Sequence, residues 1–316
     1  MAVRRRAPLV LAALCAVTVA GVTPASAATL PGGIDLPCAA TPLRQSADWY
    51  LPDDPPRGLV WLQHGFARTA ANVASLAGTL SAAGYLVFAP SLPFVNPSGC
   101  TLQNLGDNTP FLDTVADLFA TADDPAGALA RSLAAAASTA GLSAPALPRQ
   151  FVFIGHSAGA EAVEYVAHRL HTTQPDAWST LRGLILLDPV KSFLGNNTDA
   201  ALTDLDRTPL PVLTVSGPPG LCNTFGSGTT AVRTLLHRSF VGVRLPSGAH
   251  TDAEGASSDV AGELACGVPQ SANASALQHL VVRWTGDFVT GAEVTRDDPS
   301  VTAAADEAGA QPLDGA

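Results

Sequence analysis

Lysine is almost absent from this sequence: Lys191 is the only one in 316 residues, and 17 Lys and Arg face 27 Asp and Glu. A net charge of −10 repels phosphate backbones and leaves no basic stripe, so nucleic acid is not an expected partner. No CxxC pair and no compact Cys/His cluster occurs, which gives zinc no obvious ligand set. No repeat of fixed period is visible, and nothing marks a second domain. The apolar run 7–22 is too short to cross a bilayer comfortably, and small residues follow it in place of a basic stop.

That run has another reading. Arg4, Arg5 and Arg6 precede it, and Pro24-Ala25-Ser26-Ala27 supplies small residues for cleavage, which is the layout of a secretory signal peptide over residues 1–27. Leu14 before Cys15 is too large for a lipobox, and the rest of a twin-arginine motif is missing, so export without a stable membrane anchor is expected. Removing residues 1–27 takes away three arginines and no acid, moving the net charge to −13. Cys38, Cys100, Cys222 and Cys266 then remain, an even number that suggests two disulfides in an exported protein, with three pairings open.

Short apolar runs at 59–62, 85–88, 151–154, 184–187, 212–215 and 240–245 read as strands. Helical patterns separate them, at 70–83, 111–121, 126–139 and 158–171, with a closing helix at 274–289. This alternation predicts a three-layer α/β fold, a mostly parallel sheet with helices on both faces, over residues 28–291. Residues 102–148, rich in Ala and Asp, are expected to form a small cap. Residues 292–316 carry six acids, one arginine and few large apolar side chains, a composition that predicts disorder.

Gly155-His156-Ser157-Ala158-Gly159 directly follows a strand and opens a helix. A serine hydroxyl is a weak nucleophile that must be exposed, aligned with a base and close to oxyanion donors. A tight strand-to-helix turn meets these needs, with glycines relieving the crowding and the helix N-terminus adding free N–H groups. The bland reading of the same residues is a Gly/Ser turn capping a helix. His64-Gly65-Phe66 follows an earlier strand, so the backbone N–H groups of Phe66 and Ala158 are the candidate oxyanion donors.

Of seven histidines, His250 is the candidate base, because Ser247-Gly248-Ala249-His250 is a small-residue loop after the last strand. His156 lies inside the elbow, and His168, His171, His237 and His279 sit in helical patterns. His168 and His171 have a metal-compatible spacing but no third ligand. The orienting acid is assigned to Asp188, at the end of the strand 184–187. The loop Ser216-Gly217-Pro218-Pro219-Gly220 holds no carboxylate, Asp204 and Asp206 precede their strand, and Asp252 is too near His250 to orient it.

The order His-Gly, Gly-His-Ser-Ala-Gly, Asp-Pro-Val, then His resembles the α/β-hydrolase superfamily over about residues 42–289. Within it the chain is similar to chlorophyllase-like hydrolases and to secreted bacterial esterases related to polyester hydrolases. The Asp188-Pro189-Val190 segment matches the chlorophyllase-like branch, whereas polyester hydrolases take their acid one strand later. On this fold Cys222 and Cys266 both fall at the active-site end, so the resemblance implies the pairs Cys222–Cys266 and Cys38–Cys100. It also implies a serine hydrolase that cleaves small or polymeric carboxylic esters through an acyl-enzyme, with no metal or organic cofactor; a monomer is expected. An amidase or peptidase on the same residues is the enzymatic alternative, and a binding protein on an inactive scaffold the other. The intact set Ser157, Asp188 and His250 argues against the last.

Overall fold

The computed structural model describes residues 28–316; residues 1–27, which carry the expected export signal, lie outside the described residues. The described chain opens with a long hairpin, β1 (Ala28–Cys38) and β2 (Thr41–Leu51). There follow β3 (Leu59–Gln63), α1 (Ala74–Ala82), β4 (Leu86–Pro90), α2 (Thr109–Ala120), α3 (Ala128–Thr139), β5 (Phe151–His156) and α4 (Ala158–Thr173). Next come the short α5 (Pro175–Trp178), β6 (Leu181–Leu187), α6 (Asn197–Leu205), β7 (Val212–Ser216), α7 (Ser227–Leu235) and β8 (Gly242–Arg244). The last elements are α8 (Val260–Cys266), α9 (Ser271–Thr290), α10 (Pro299–Ala308) and β9 (Gln311–Leu313).

The strands form one sheet in the order β1-β2-β4-β3-β5-β6-β7-β8-β9. Neighbours from β4 to β8 are parallel, while the hairpin at one edge and β9 at the other are antiparallel. This is the mostly parallel, helix-covered sheet that the alternation of runs predicts. The central strands are uniformly apolar because both faces are covered. Trp61, Phe153, Leu184 and Leu186 face a core completed by α2, α3, α4, α6 and α7. Val60, Leu62, Val152, Ile154 and Ile185 face the other, completed by α1, α9 and α10. On the first face Trp61, Phe119 and Phe153 make an aromatic cluster with ring centroids 4.5–5.2 Å apart.

Two consequences position a site. All parallel strands end at the same edge of the sheet, so the loops after β3 to β8 gather there. The chain also reverses direction across the sheet at β3, with β4 on one side and β5 on the other. Crevices open at such a switch point, outside the carboxyl ends of the strands.

Two sequence expectations are corrected. Residues 102–148 do not cap the site: α2 and α3 pack flat on the sheet, burying Phe111, Val115, Phe119, Leu129 and Leu133. Nor are residues 292–316 disordered. Asp298 caps α10 by accepting from Ser300 N at 2.8 Å, Val301 and Ala304 bury against the core, and β9 pairs with β8. Average composition misled because these few apolar residues are spaced to lie on one helix face, and Leu313 fills the end of the sheet. The hairpin β1–β2, hidden by its Pro and Gly content, is tied to the β4–α2 connection by the Cys38–Cys100 disulfide.

Deleting residues 299–316 uncovers α9 and leaves β8 as an open edge. Burial of Val301 and Leu313 alone is worth about 3–5 kcal/mol, so the melting temperature should drop by roughly 5–10 °C in a thermal scan. An unchanged value would show that the tail does not fold onto the domain.

Candidate active site

β5 ends at His156 and α4 starts at Ala158, so Ser157 makes the whole turn, with φ 55° and ψ −123°. Such a conformation costs a non-glycine residue about 1–3 kcal/mol and persists only where the surroundings enforce it. Ser157 N donates to Leu187 O at 2.9 Å, and Ser157 O accepts from Ala160 N at 3.0 Å and Val190 N at 3.1 Å. The glycines serve close approach. A Cβ on Gly159 would stand 2.4 Å from His64 O, and one on Gly155 2.4 Å from Gly159 O. The start of α4 is thereby pressed onto the end of β3, where Gly65 and Phe66 follow. Neither the Phe66 nor the Ala158 N–H has an acceptor among the described residues.

His250 opens a short 3₁₀ turn after β8. Its Nδ1 lies 2.6 Å from Oδ2 of Asp188, a carboxylate at the carboxyl end of β6. Asp188 Oδ1 accepts from Gly217 N at 3.0 Å, and the Asn223 amide sits 3.2 Å from both carboxylate oxygens. Burial pushes the Asp188 carboxyl up. The His250 hydrogen bond and charge, with the Gly217 and Asn223 donors, outweigh burial and hold it below the usual carboxylate range. The loop after β7 thus supplies donors to the carboxylate in place of a carboxylate of its own. Asp252 turns away from the imidazole, accepting from Ala249 N and Gln270 N at 2.8 and 2.7 Å and so shaping the His250 turn.

His156 Nε2 lies 2.9 Å from the carbonyl oxygen of His250, with the two rings 4.7 Å apart. A carbonyl only accepts, so His156 carries its proton on Nε2. Burial first, and the neighbouring His250 next, lower its pKa to about 3, keeping it neutral. It therefore positions the His250 main chain without adding charge. His64, fully buried with Nδ1 2.8 Å from Gly65 O, is lowered to about 4 by burial.

Ser157 and His250 line one pocket of about 400 Å³, together with Phe66, Arg68, Glu254 and the Cys222–Cys266 disulfide. Arg68 Nε lies 2.9 Å from Glu254 and its Nη1 3.1 Å from Asp259. Asp259 caps α8 by accepting from Gly262 N at 2.7 Å. This helix forms one wall yet buries only Gly262, so its two ends, Asp259 and Cys266, hold it. A larger cleft of about 680 Å³ lies at the opposite end of the sheet, around Leu181, Arg182 and Val212, and contains neither Ser157 nor His250. Chemistry, not size, picks the smaller one.

Behind the turn, buried Glu161 accepts from Ser192 N (2.9 Å), Ser192 Oγ (2.5 Å), Thr198 Oγ1 (3.1 Å) and Asn104 N (3.2 Å). It fastens the loops after β4 and β6 to the first turn of α4. Sequence reasoning missed Asn223, Glu161 and Arg68. A glutamate on the apolar face of α4 was the one visible signal. The remaining histidines are occupied elsewhere: His168 and His171 both bond Asp204 at 2.8 Å, and His237 bonds Asp206 at 2.9 Å. Among the described residues no group of three His, Cys, Asp or Glu side chains is placed to hold a metal ion.

No family model and no curated protein matches the chain. Solved structures do. A dienelactone hydrolase from Anabaena variabilis, 15% identical, superposes with a TM-score of 0.50 over 82% of this chain and 97% of its own. An esterase from Pyrobaculum calidifontis (13%, TM-score 0.48, 82% and 85% covered) and the esterase domain of a Rhodothermus marinus protein (14%, 0.47, 81% and 98%) also align. The chain has the α/β-hydrolase fold. Identities this low carry the architecture alone, and on the α/β-hydrolase sheet the pocket opens at the β3/β5 switch point.

The lowered pKa of His156 has a signed consequence. Between about pH 6.5 and 3 the unfolded chain binds a proton at this position that the folded one refuses, so its contribution to stability is full above pH 6.5 and declines below. Relative to His156→Gln, the wild-type advantage should shrink by up to about 1.4 kcal/mol per pH unit over that window. Denaturant melts at pH 7.5, 6, 5 and 4 measure it, and a gap that stays constant would refute the neutral buried state.

Proposed function

We propose that this protein is a serine hydrolase that cleaves carboxylic esters through an acyl-enzyme intermediate. The observation that carries the proposal is the 2.6 Å contact between His250 Nδ1 and Asp188 Oδ2 at the pocket where Ser157 heads α4. With Nδ1–H committed to Asp188, His250 presents Nε2 as a base. Ser157 Oγ attacks the ester carbonyl and its proton passes to Nε2. The developing oxyanion is met by the N–H groups of Phe66 and Ala158, aided by the positive end of α4. Collapse breaks the acyl–oxygen bond, and the leaving alkoxide takes the proton from His250. Water, deprotonated by the same imidazole, then attacks the acyl-serine; the acyl–Oγ bond breaks, Ser157 Oγ takes the proton back from His250, and the carboxylic acid is released. Asp188 stays ionised and stabilises the imidazolium in both halves, in keeping with its depressed pKa.

The position of the acid after β6 supports kinship with the chlorophyllase-like branch. The two disulfides suit an oxidising compartment outside the cytoplasm. No described helix is long and apolar enough to cross a membrane.

Ser157→Ala should remove hydrolysis of p-nitrophenyl esters, and labelling by a fluorophosphonate, while leaving the fold intact. Asp188→Asn should lower kcat by about 10³–10⁴-fold with little change in KM, since the imidazole loses both its tautomer and its counter-charge. Asp204→Asn and Asp206→Asn, whose partners are His168, His171 and His237, should stay within about three-fold of wild type, as expected of surface changes. A crippled Asp206→Asn beside an active Asp188→Asn would overturn the acid assignment. A p-nitroanilide cleaved faster than the matching ester would move the reading to an amidase.

A further inference from the structure

Large apolar side chains are exposed unevenly on this protein. Among the described residues twelve stand exposed, and eleven of them sit on the loops and on α8 at the edge of the sheet that carries Ser157; Leu142, after α3, is the exception. Topology accounts for the gathering. Phe66 follows β3, Phe94 follows β4, Phe193 follows β6, and Leu221 and Phe225 follow β7, all on parallel strands. Leu264 on α8 joins them through the Cys222–Cys266 bridge. Phe66 and Phe94 meet edge to face at 5.3 Å, and Phe66 itself lines the pocket, so the apolar rim is continuous with the mouth of the site. Soluble proteins seldom leave apolar surface concentrated in this way unless something covers it.

We propose that this rim seats the protein on a liquid, uncharged acylglycerol surface, from which the pocket draws its ester. The inference rests on the ester-hydrolase reading and names the physical state of its substrate. Three observations favour this occupant. Phe193, Leu221 and Leu264 are 84%, 82% and 84% exposed and stand on separate segments. A liquid surface closes around each projection, whereas a solid face would touch only their tips, and a folded partner would need a socket for each. Charge points to a neutral surface. The cations of these loops, Arg68 and Lys191, are both ion-paired, to Glu254 and Asp259 and to Asp199, and the chain is acidic overall. Anionic headgroups would therefore be repelled. Finally, α2 and α3 pack on the sheet and nothing from residues 102–148 lines the pocket, so no folded cap separates Ser157 from such a surface.

The test uses Phe193→Ser, Leu221→Ser and Leu264→Ser combined, none of which lines the pocket. Binding is read by flotation with triolein droplets in a Ser157→Ala background, so that turnover does not enter. Turnover is read on a tributyrin emulsion and on p-nitrophenyl acetate in true solution. Each exposed side chain contributes several-fold to partitioning, so droplet binding and emulsion hydrolysis should both fall about 30-fold or more, with the soluble ester within about two-fold. Unchanged droplet binding, tighter binding to anionic vesicles than to droplets, or a rim effect confined to a solid polyester film would each overturn the proposal. Equal losses on soluble and emulsified ester would do so too, by making the rim part of the pocket. Wild type that floats with droplets yet cleaves neither ester would instead overturn the hydrolase reading and leave the docking surface standing.

Discussion

Everything at the site depends on how closely the start of α4 approaches the end of β3. A hydrogen atom alone at Gly159 permits it, since a Cβ there would fall 2.4 Å from His64 O; Gly155 likewise lets α4 fold back on its own strand, where a Cβ would fall 2.4 Å from Gly159 O. The approach forces Ser157 to φ 55° and lays Gly65 and Phe66 alongside it. Backbone strain, unaccepted N–H groups and a serine at the pocket wall are three results of one packing contact, which is why they occur together. The strain is borne by the parallel sheet, whose central strands are buried on both faces and cannot relax locally.

The walls of the pocket are held by two different means. On the side of β4 and β6, Glu161 gathers four donors from Asn104, Ser192 and Thr198 into a buried knot behind the turn. Burial pushes that carboxyl up, and the four donors oppose the push. On the side of β7 and β8, α8 buries only Gly262, and covalent and ionic links hold it. Cys222–Cys266 joins the loop that carries Asn223 to α8, and Asn223 in turn supports the Asp188 carboxylate. The bridge thus lies one hydrogen bond from the His250–Asp188 pair.

The fold was legible because buried parallel strands are written as unbroken apolar runs, and the turn because its glycines bracket the serine. Asp188 was singled out by elimination, because the loop after β7 has no carboxylate; in the structure that loop donates to Asp188, which lies 2.6 Å from His250 Nδ1. Other features were not legible for physical reasons. The β1–β2 hairpin carries prolines and glycines that hide its alternation. The C-terminal segment is acidic on average, but Val301, Ala304 and Leu313 fall where the core needs them. Asn223 and Glu161 act through contacts 31 to 57 residues away in sequence, which no local pattern records.

α8 has a further consequence. A helix that forms a wall of the pocket but buries a single glycine owes its place to its ends, Asp259 and Cys266, and not to its sequence in between. Natural drift or a protein engineer can therefore rewrite Val260, Ala261, Glu263, Leu264 and Ala265 with little cost to folding. That makes this one turn and a half the stretch in which the wall beside Ser157 can be reshaped while the frame that holds it stays fixed.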